Sequence, residues 1–357
     1  GKTFNPYDKT HTRMVGGSSC GSASLVASNV VPFSTGSDTG DSIRKPASFA
    51  GLVGMKPTWG RISRFGLFPF APSLDHVGYF TRSVLDSAIL LNALAGRDEK
   101  DSTSSLEKVE DYTFHINDSI KGKKIAVIKE ILDSISDKYL LSSFSKAVEK
   151  LKEEGAIVDY VSFPLDLLKA IYPVYIVISC AEATSNDANL DGIKFGPNYG
   201  GSSYQEVMSN ARTKGFSELI KRRFVIGSFA LMRENQDELF LRAQKIRRKI
   251  VDKTNEILTE YDAIFAPAAP SVAPKFIDSG DKLSSEYLIA DNYLAIGNFA
   301  GLPSITLPLT KKDGLPIGVN FTTRKFEESL LFNIANKFEE ISGLSNLSIN
   351  DNKEGNL

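Results

Sequence analysis

The amino-acid sequence predicts an α/β fold, in which strands and helices alternate along the chain. The clearest observation is a strand–helix–strand order, with strands over residues 123–129 and 156–163 and an amphipathic helix over 142–154 between them. Apolar residues make up 42% of the 357 residues and charged residues 24%, as in a globular protein with a large core.

Hydrophobic spacing predicts the remaining elements. Apolar residues with helical spacing over residues 83–95 predict a helix that ends at Gly96. Glycine suits a helix end because it adopts positive φ without strain. Further helices are predicted over residues 22–28, 166–183, 216–232 and 236–261. Strands are predicted over residues 30–34, 263–266, 304–309 and 317–322, with a turn at 312–316 between the last two.

The scarcest residue types exclude several classes of site. Three histidines and two cysteines are too few for a Cys-rich zinc site or a disulfide framework, and they leave few candidates for a His-based triad. The net charge of −1 argues against nucleic-acid binding through global charge. We therefore expect any catalysis to use hydroxyls, carboxylates or amines.

Two Gly-Ser turns, over residues 16–22 (GGSSCGS) and 36–44 (GSDTGDSIR), carry the strongest functional signal. Glycines in such turns let backbone N–H groups converge on a phosphate or a developing oxyanion, and a serine among them can act as a nucleophile. Either turn alone is most often structural. Neither turn fits a Walker phosphate loop or a G-x-S-x-G elbow.

The combination of the two turns resembles the amidase signature family. The last serine of the second turn, Ser42, follows Ser18 of the first by 24 residues, and GLVGMKPTWGRIS comes soon after. The resemblance implies a mixed, mostly parallel central sheet covered by helices on both faces. It also implies one domain over residues 1–344, and we expect the polar segment 345–357 to be a flexible tail.

Carried over residue by residue, the resemblance implies a Ser–Ser–Lys triad. Ser42 is the nucleophile, and Ser18 is the bridging serine that follows a cis Gly17–Ser18 peptide bond. A neutral lysine amine would take the proton that Ser18 receives from Ser42. Because no lysine near the start of the chain matches the family motif, including Lys45, we expect the catalytic lysine upstream of residue 1.

The resemblance also assigns roles to the second turn. Its oxyanion hole would consist of the backbone N–H groups of Thr39, Gly40, Asp41 and Ser42, and the turn would be braced by Asp38 and Arg44. Asp41 stands where the family usually has glycine. A carboxylate facing the site would oppose an oxyanion, so we expect the Asp41 side chain to point away from it.

Within the family, stretches such as DNYLAIGNFAGLPSITLP resemble the A subunits of glutamyl-tRNA(Gln) amidotransferase. That resemblance implies glutamine as substrate, and ammonia delivered to a B-type partner subunit that acts with a small accessory subunit. The implied ATP and Mg, and most contacts with Glu-tRNA(Gln), belong to the partner, so neither a cofactor nor a metal is expected in this chain. No membrane insertion is expected, and an Asn/Lys/Ser bias favours the mitochondrial matrix, with the cytoplasm as the other location.

Three further residues match substrate positions of that branch: Tyr175, Arg223 and Asp291. A guanidinium suits the α-carboxylate of free glutamine, and a carboxylate suits its α-ammonium. Taken singly, Tyr175 would be an ordinary core aromatic, Asp291 a surface carboxylate, and Arg223 part of a solvated charge run. Two alternatives stay open: a stand-alone amidase acting on another amide, and a scaffold subunit that has lost its chemistry.

Overall fold

The computed structural model describes residues 1–278, 285–350, 353 and 355–357. The eight strands of this described part form one sheet, in the order β1-β3-β2-β7-β8-β6-β4-β5. The strands are β1 (Ser34–Asp38), β2 (Val53–Lys56), β3 (His76–Thr81), β4 (Lys124–Ile128), β5 (Ile157–Val161), β6 (Ala263–Pro267), β7 (Ser304–Lys312) and β8 (Leu315–Thr322).

Twelve α-helices within the same described ranges surround the sheet. They are α1 (Cys20–Ala27), α2 (Arg44–Ala50), α3 (Val84–Leu94), α4 (Lys129–Asp133), α5 (Lys138–Glu153), α6 (Leu165–Asn186), α7 (Tyr204–Gly215), α8 (Glu218–Leu231), α9 (Arg242–Glu260), α10 (Ser285–Asn292), α11 (Ala295–Ala300) and α12 (Glu328–Ser342). The predicted strand–helix–strand unit is confirmed as β4, α5 and β5.

The sheet lies between two helical layers, as predicted. Along β4, Ile125 and Val127 pack in a core layer with α3, α5 and α12, whereas Ala126 and Ile128 pack in a second layer with α6 and α9. This division follows from the strand geometry, because successive side chains point to opposite faces. Both faces of the sheet are therefore covered.

The prediction that most neighbouring strands pair in parallel is wrong. Among the described strands, only β4–β5 and β4–β6 pair in parallel, and the other five neighbouring pairs are antiparallel. The antiparallel part includes the β7–β8 hairpin, whose turn contains Asp313 and Gly314, both with positive φ. Strand direction depends on long-range pairing, which local hydrophobic spacing does not encode.

The region of the two serine turns departs most from its predicted elements. The strand expected at residues 30–34 is found at β1, four residues further on, and α2, β2 and β3 had no predicted counterpart. The sequence of β1 is STGSD, which lacks the alternation of apolar and polar residues that identifies a strand. It is a strand because its backbone pairs with β3.

Helix α6 is long and apolar enough to cross a membrane by length and composition alone. In the structure it is a core helix, since Leu168, Ile171 and Ile178 are buried and α8 and α9 pack against it. Length and composition do not distinguish a membrane-spanning helix from a core helix, because core helices of globular proteins can be equally long and apolar. The packing explains the apolar character of α6.

The C-terminal segment does not form the expected flexible tail, in so far as its residues are described. Leu347 is fully buried, and the Asn346 N–H donates to the Arg82 carbonyl at 2.8 Å. Residues 351, 352 and 354 of this segment lie outside the described residues. The predicted domain boundary at residue 344 stays a prediction.

Candidate active site

The two serine turns meet in the structure. The Ser19 N–H donates to the Ser42 carbonyl at 3.3 Å, and the peptide bond between Gly17 and Ser18 is cis, as the resemblance implies. Ser18 is exposed and Ser42 is half-buried. Each serine comes two residues before a helix, α1 or α2, so that both lie at the positive end of a helix dipole.

Ser19 joins the first turn to β1. Its hydroxyl donates to the Ser37 carbonyl at 3.1 Å and accepts the Ser37 N–H at 3.2 Å. The approach is close at Gly36, where a Cβ atom would lie 2.8 Å from Ser19 Oγ. The glycine in the second turn is therefore needed for contact between the two turns. Ser19 was not among the site residues predicted from the sequence.

The four N–H groups expected to form an oxyanion hole lie between β1 and α2. In the described part of the chain, the backbone N–H groups of Thr39, Gly40, Asp41 and Ser42 have no protein acceptor. Unpaired backbone donors are uncommon in folded proteins, where nearly all buried N–H groups find a partner. These four are available to an oxyanion or another anionic ligand.

A buried ion pair holds this loop. The Asp38 and Arg44 side chains form two hydrogen bonds, of 2.9 and 3.1 Å, and both residues are fully buried. The Arg44 guanidinium also donates to the Gly40 carbonyl at 2.8 Å and to the Asn298 side chain at 2.7 Å. Burial alone would raise the pKa of Asp38, but the Arg44 charge holds that pKa well below its usual range.

Asn298 completes this network and was missed by the sequence analysis. Its side-chain amide donates to the Asp38 carbonyl at 2.9 Å and to the Asp38 carboxylate at 3.0 Å. On the other side of the loop, the Thr39 hydroxyl donates to the Asp75 carboxylate at 2.6 Å. Asn298 lies in a stretch quoted for the family resemblance, but a buried asparagine in α11 has no spacing signal of its own.

Tyr175, on α6, lies against the loop at Gly40. A Cβ atom on Gly40 would be 3.0 Å from the Tyr175 ring, so a larger residue would press on the ring. Arg223, on α8, lies beside the Tyr175 hydroxyl and stacks over Phe70, with its guanidinium 5.3 Å from the ring centroid. Burial raises the pKa of Tyr175, and the Arg223 charge opposes that rise.

Gly227 explains how Arg223 comes so close to Tyr175. It lies one helical turn after Arg223 on the same face of α8, and a Cβ atom there would be only 2.1 Å from the Cys180 carbonyl of α6. Only glycine allows the two helices to approach this closely. The structure thus brings two of the three predicted substrate-binding residues together at the loop that carries Ser42.

Asp291, the third predicted residue, reaches the loop through Lys45. The Lys45 ammonium lies 2.5 Å from the Asp41 carboxylate and 2.9 Å from that of Asp291, and it also donates to the Asp291 carbonyl at 2.6 Å. Burial lowers the pKa of Lys45, but the two carboxylates outweigh burial and raise it. Burial raises the pKa of Asp41, which the Lys45 charge opposes.

The position of Asp41 differs from the expectation. Its carboxylate lies near Lys45 and Asp291, and its charge also acts on Tyr175, so it does not point away from the predicted substrate residues. Lys45 neutralises it instead. From the sequence, Lys45 was compared only with the catalytic lysine, although its i,i+4 spacing from Asp41 is a signal for this ion pair.

Two other buried titratable groups lie near the loop. Lys56 is fully buried with its ammonium against the Leu302 carbonyl, and burial, with Arg44 nearby, lowers its pKa well below the usual range. The His76 Nδ1–H donates to the Leu74 carbonyl at 2.6 Å, and burial lowers the pKa of His76 as well. Among the described residues, no group of three His, Cys, Asp or Glu side chains has the arrangement of a metal site.

Comparison with known proteins agrees with the resemblance. A family model described as Amidase matches residues 1–332. The A subunit of glutamyl-tRNA(Gln) amidotransferase from Staphylococcus saprophyticus is 43% identical over 342 residues, which cover 95% of this chain and 69% of that protein. The A subunit of the same enzyme from Fusobacterium nucleatum is 42% identical over 349 residues, which cover 97% of this chain and 70% of that protein.

A solved structure supports the same assignment. The crystal structure of the A subunit of glutamyl-tRNA(Gln) amidotransferase from Thermotoga maritima superimposes with a TM-score of 0.77 at 38% identity, and the match covers 95% of this chain and 68% of that one. The fold, the paired serine turns and these relatives lead to one conclusion. The chain belongs to the amidase family, and A subunits of glutamyl-tRNA(Gln) amidotransferase are among its relatives.

Proposed function

We propose that this chain is the glutaminase subunit of a tRNA-dependent amidotransferase, which hydrolyses glutamine and supplies ammonia for the conversion of Glu-tRNA(Gln) to Gln-tRNA(Gln). The observation that carries the proposal is the convergence of Tyr175, Arg223 and Asp291 on the loop that holds Ser42. The names of the relatives point to the same reaction.

The charges around the loop suit free glutamine as the substrate. Arg223 offers a planar guanidinium to the α-carboxylate, and Asp291 offers a carboxylate to the α-ammonium. With both ends of the amino acid held, the side-chain amide would lie over Ser42. A substrate that lacks one of these charged ends would leave Arg223 or Asp291 unpaired, which is how such a site rejects other amides.

The chemistry of the proposed reaction is acyl transfer. The Ser42 hydroxyl attacks the amide carbon, and its proton passes to Ser18 and then to the lysine that the family resemblance implies. The negative charge on the amide oxygen is stabilised by the unpaired N–H groups between Thr39 and Ser42. The relay returns the proton to the leaving ammonia, and water then hydrolyses the acyl-enzyme.

The test is ammonia release from glutamine by the assembled complex that contains the full-length chain. Ser42→Ala should reduce kcat by at least about 10³-fold, because the covalent step is lost. Ser142→Ala, in an exposed position on α5, is the matched control and should leave the rate unchanged. Undiminished release by Ser42→Ala would disprove the nucleophile, and no release by the wild type would favour the scaffold alternative.

The remaining parts of the proposal concern the surroundings of the subunit. We propose a B-type partner subunit with ATP and Mg, a small accessory subunit, and binding of Glu-tRNA(Gln) mainly through the partner. No cofactor, metal or membrane insertion is proposed for this chain. The Asn/Lys/Ser bias supports the mitochondrial matrix, with the cytoplasm as the alternative; the relatives compared above are bacterial.

A further inference from the structure

The cluster formed by Asp41, Lys45 and Asp291 poses a problem of charge at the candidate site. Asp41 directly precedes Ser42, where a negative charge would develop on the substrate during acyl transfer. A second carboxylate, Asp291, lies near it. Two carboxylates so close would repel each other and an oxyanion, because charges a few ångströms apart interact strongly away from bulk water.

Lys45 resolves this problem with all three of its ammonium protons. It donates to the Asp41 carboxylate, to one carboxylate oxygen of Asp291 and to the Asp291 backbone carbonyl. Its side chain is only 12% exposed, compared with 26% for Asp41 and 25% for Asp291, so solvent weakens these contacts little. With one positive Lys45 and two negative carboxylates, the three side chains have a net charge of −1. This charge matches the single α-ammonium of the substrate.

The backbone fixes Lys45 in this position. The Lys45 N–H donates to the Asp41 carbonyl at 2.9 Å, and Lys45 lies in the first turn of α2, where Pro46 follows it. In the described part of the chain, the second carboxylate oxygen of Asp291 has no protein partner. That oxygen is free to accept a hydrogen bond from a ligand while Lys45 holds the other.

We propose that Lys45 is a positioning residue, which holds the Asp291 carboxylate ready for the α-ammonium of the substrate and cancels the charge of Asp41 beside Ser42. This inference rests on the proposed glutaminase function. It assigns two separable effects to one side chain. The contact with Asp291 affects substrate binding, whereas the contact with Asp41 affects the oxyanion and therefore kcat.

The test compares glutamine with 4-carbamoylbutanoate, which is glutamine without its α-ammonium. In the assembled complex, Lys45→Met should raise the KM for glutamine by about tenfold or more, because a charge-assisted contact loses its support. The KM for 4-carbamoylbutanoate should change less than about twofold, since Asp291 has no ammonium to bind. An equal rise for both substrates, or none for either, would overturn the proposal.

Two further variants separate positioning from a general structural role. Lys45→Arg keeps the positive charge and should stay within about threefold of the wild-type KM. In the Lys45→Met background, Asp41→Asn should recover kcat but not the KM for glutamine, because only the excess charge beside Ser42 is removed. Thermal unfolding of each complex identifies any variant that is not folded, and failure of Lys45→Arg to retain binding would contradict the proposal.

Binding measurements keep this proposal distinct from the proposed function. Isothermal titration of glutamine into a Ser42→Ala complex and into a Ser42→Ala/Lys45→Met complex measures affinity without turnover. About tenfold weaker binding in the second complex supports the role of Lys45 even if the wild type releases no ammonia. Equal binding refutes that role even if the glutaminase activity is established, and no binding to either complex refutes both.

Discussion

Gly227 provides the most direct test of how packing builds the candidate site. Replacing it with alanine places a Cβ atom 2.1 Å from the Cys180 carbonyl and 2.2 Å from the Thr184 hydroxyl. Optimal contact distances are about 3.5 Å, so α8 has to move away from α6 by about 1 Å. The backbone carbonyl of Cys180 is held within α6 and cannot move aside as a flexible side chain would.

The magnitude follows from two opposing effects. Overpacking a buried contact costs about 1–3 kcal/mol, and a clash with backbone is at the upper end of that range. Alanine is favoured over glycine inside a helix by about 1 kcal/mol. We therefore expect Gly227→Ala to lower the free energy of unfolding by about 2 kcal/mol. Displacement of Arg223 from Tyr175 should also raise the KM for glutamine about tenfold.

Urea denaturation followed by circular dichroism measures the first effect, and the ammonia-release assay measures the second. Gly215→Ala is the matched control, because Gly215 is the exposed last residue of α7 and a Cβ atom there meets no atom closer than 3.8 Å. This control should be neutral or more stable by up to about 1 kcal/mol, with an unchanged KM. If both variants have the stability and KM of the wild type, the proposed dependence of Arg223 on close helix packing is wrong.

Two further predictions concern buried charges. Burial raises the pKa of Glu339 from 4.5 to about 7. Between these pH values the folded protein retains a proton that the unfolded chain has released, so the free energy of unfolding should fall by about 3 kcal/mol as the pH rises from below 4.5 to above 7. Glu339→Gln should remove this dependence in urea denaturation at pH 4 and pH 8; an identical pH dependence in both proteins would contradict the assignment. Asp38→Asn should cost about 3–5 kcal/mol by leaving the buried Arg44 without its partner, and the double variant with Arg44→Met should be more stable than Asp38→Asn alone. A double variant no better than the single one would show that the ion pair is not the cause.

Local sequence was sufficient to predict the chemistry of the serine turns. The spacing of Ser18 and Ser42, and the glycines around them, lie within one short segment and require no knowledge of distant residues. The same holds for the β4–α5–β5 unit, because the spacing of its apolar residues changes along the chain from that of a strand to that of a helix and back. In contrast, β1 has a turn-like composition and becomes a strand only by pairing with β3.

The fold class, the family and the candidate nucleophile follow from the amino-acid sequence alone, because they depend on local patterns. Tertiary structure alone decided the direction of most strand pairs and the surroundings of Asp41. Lys45 contacts Asp291 across 246 residues of chain, and Arg223 reaches Tyr175 only because Gly227 lets α8 approach α6. Such contacts depend on how distant segments pack, and a pattern read along the chain does not contain that information.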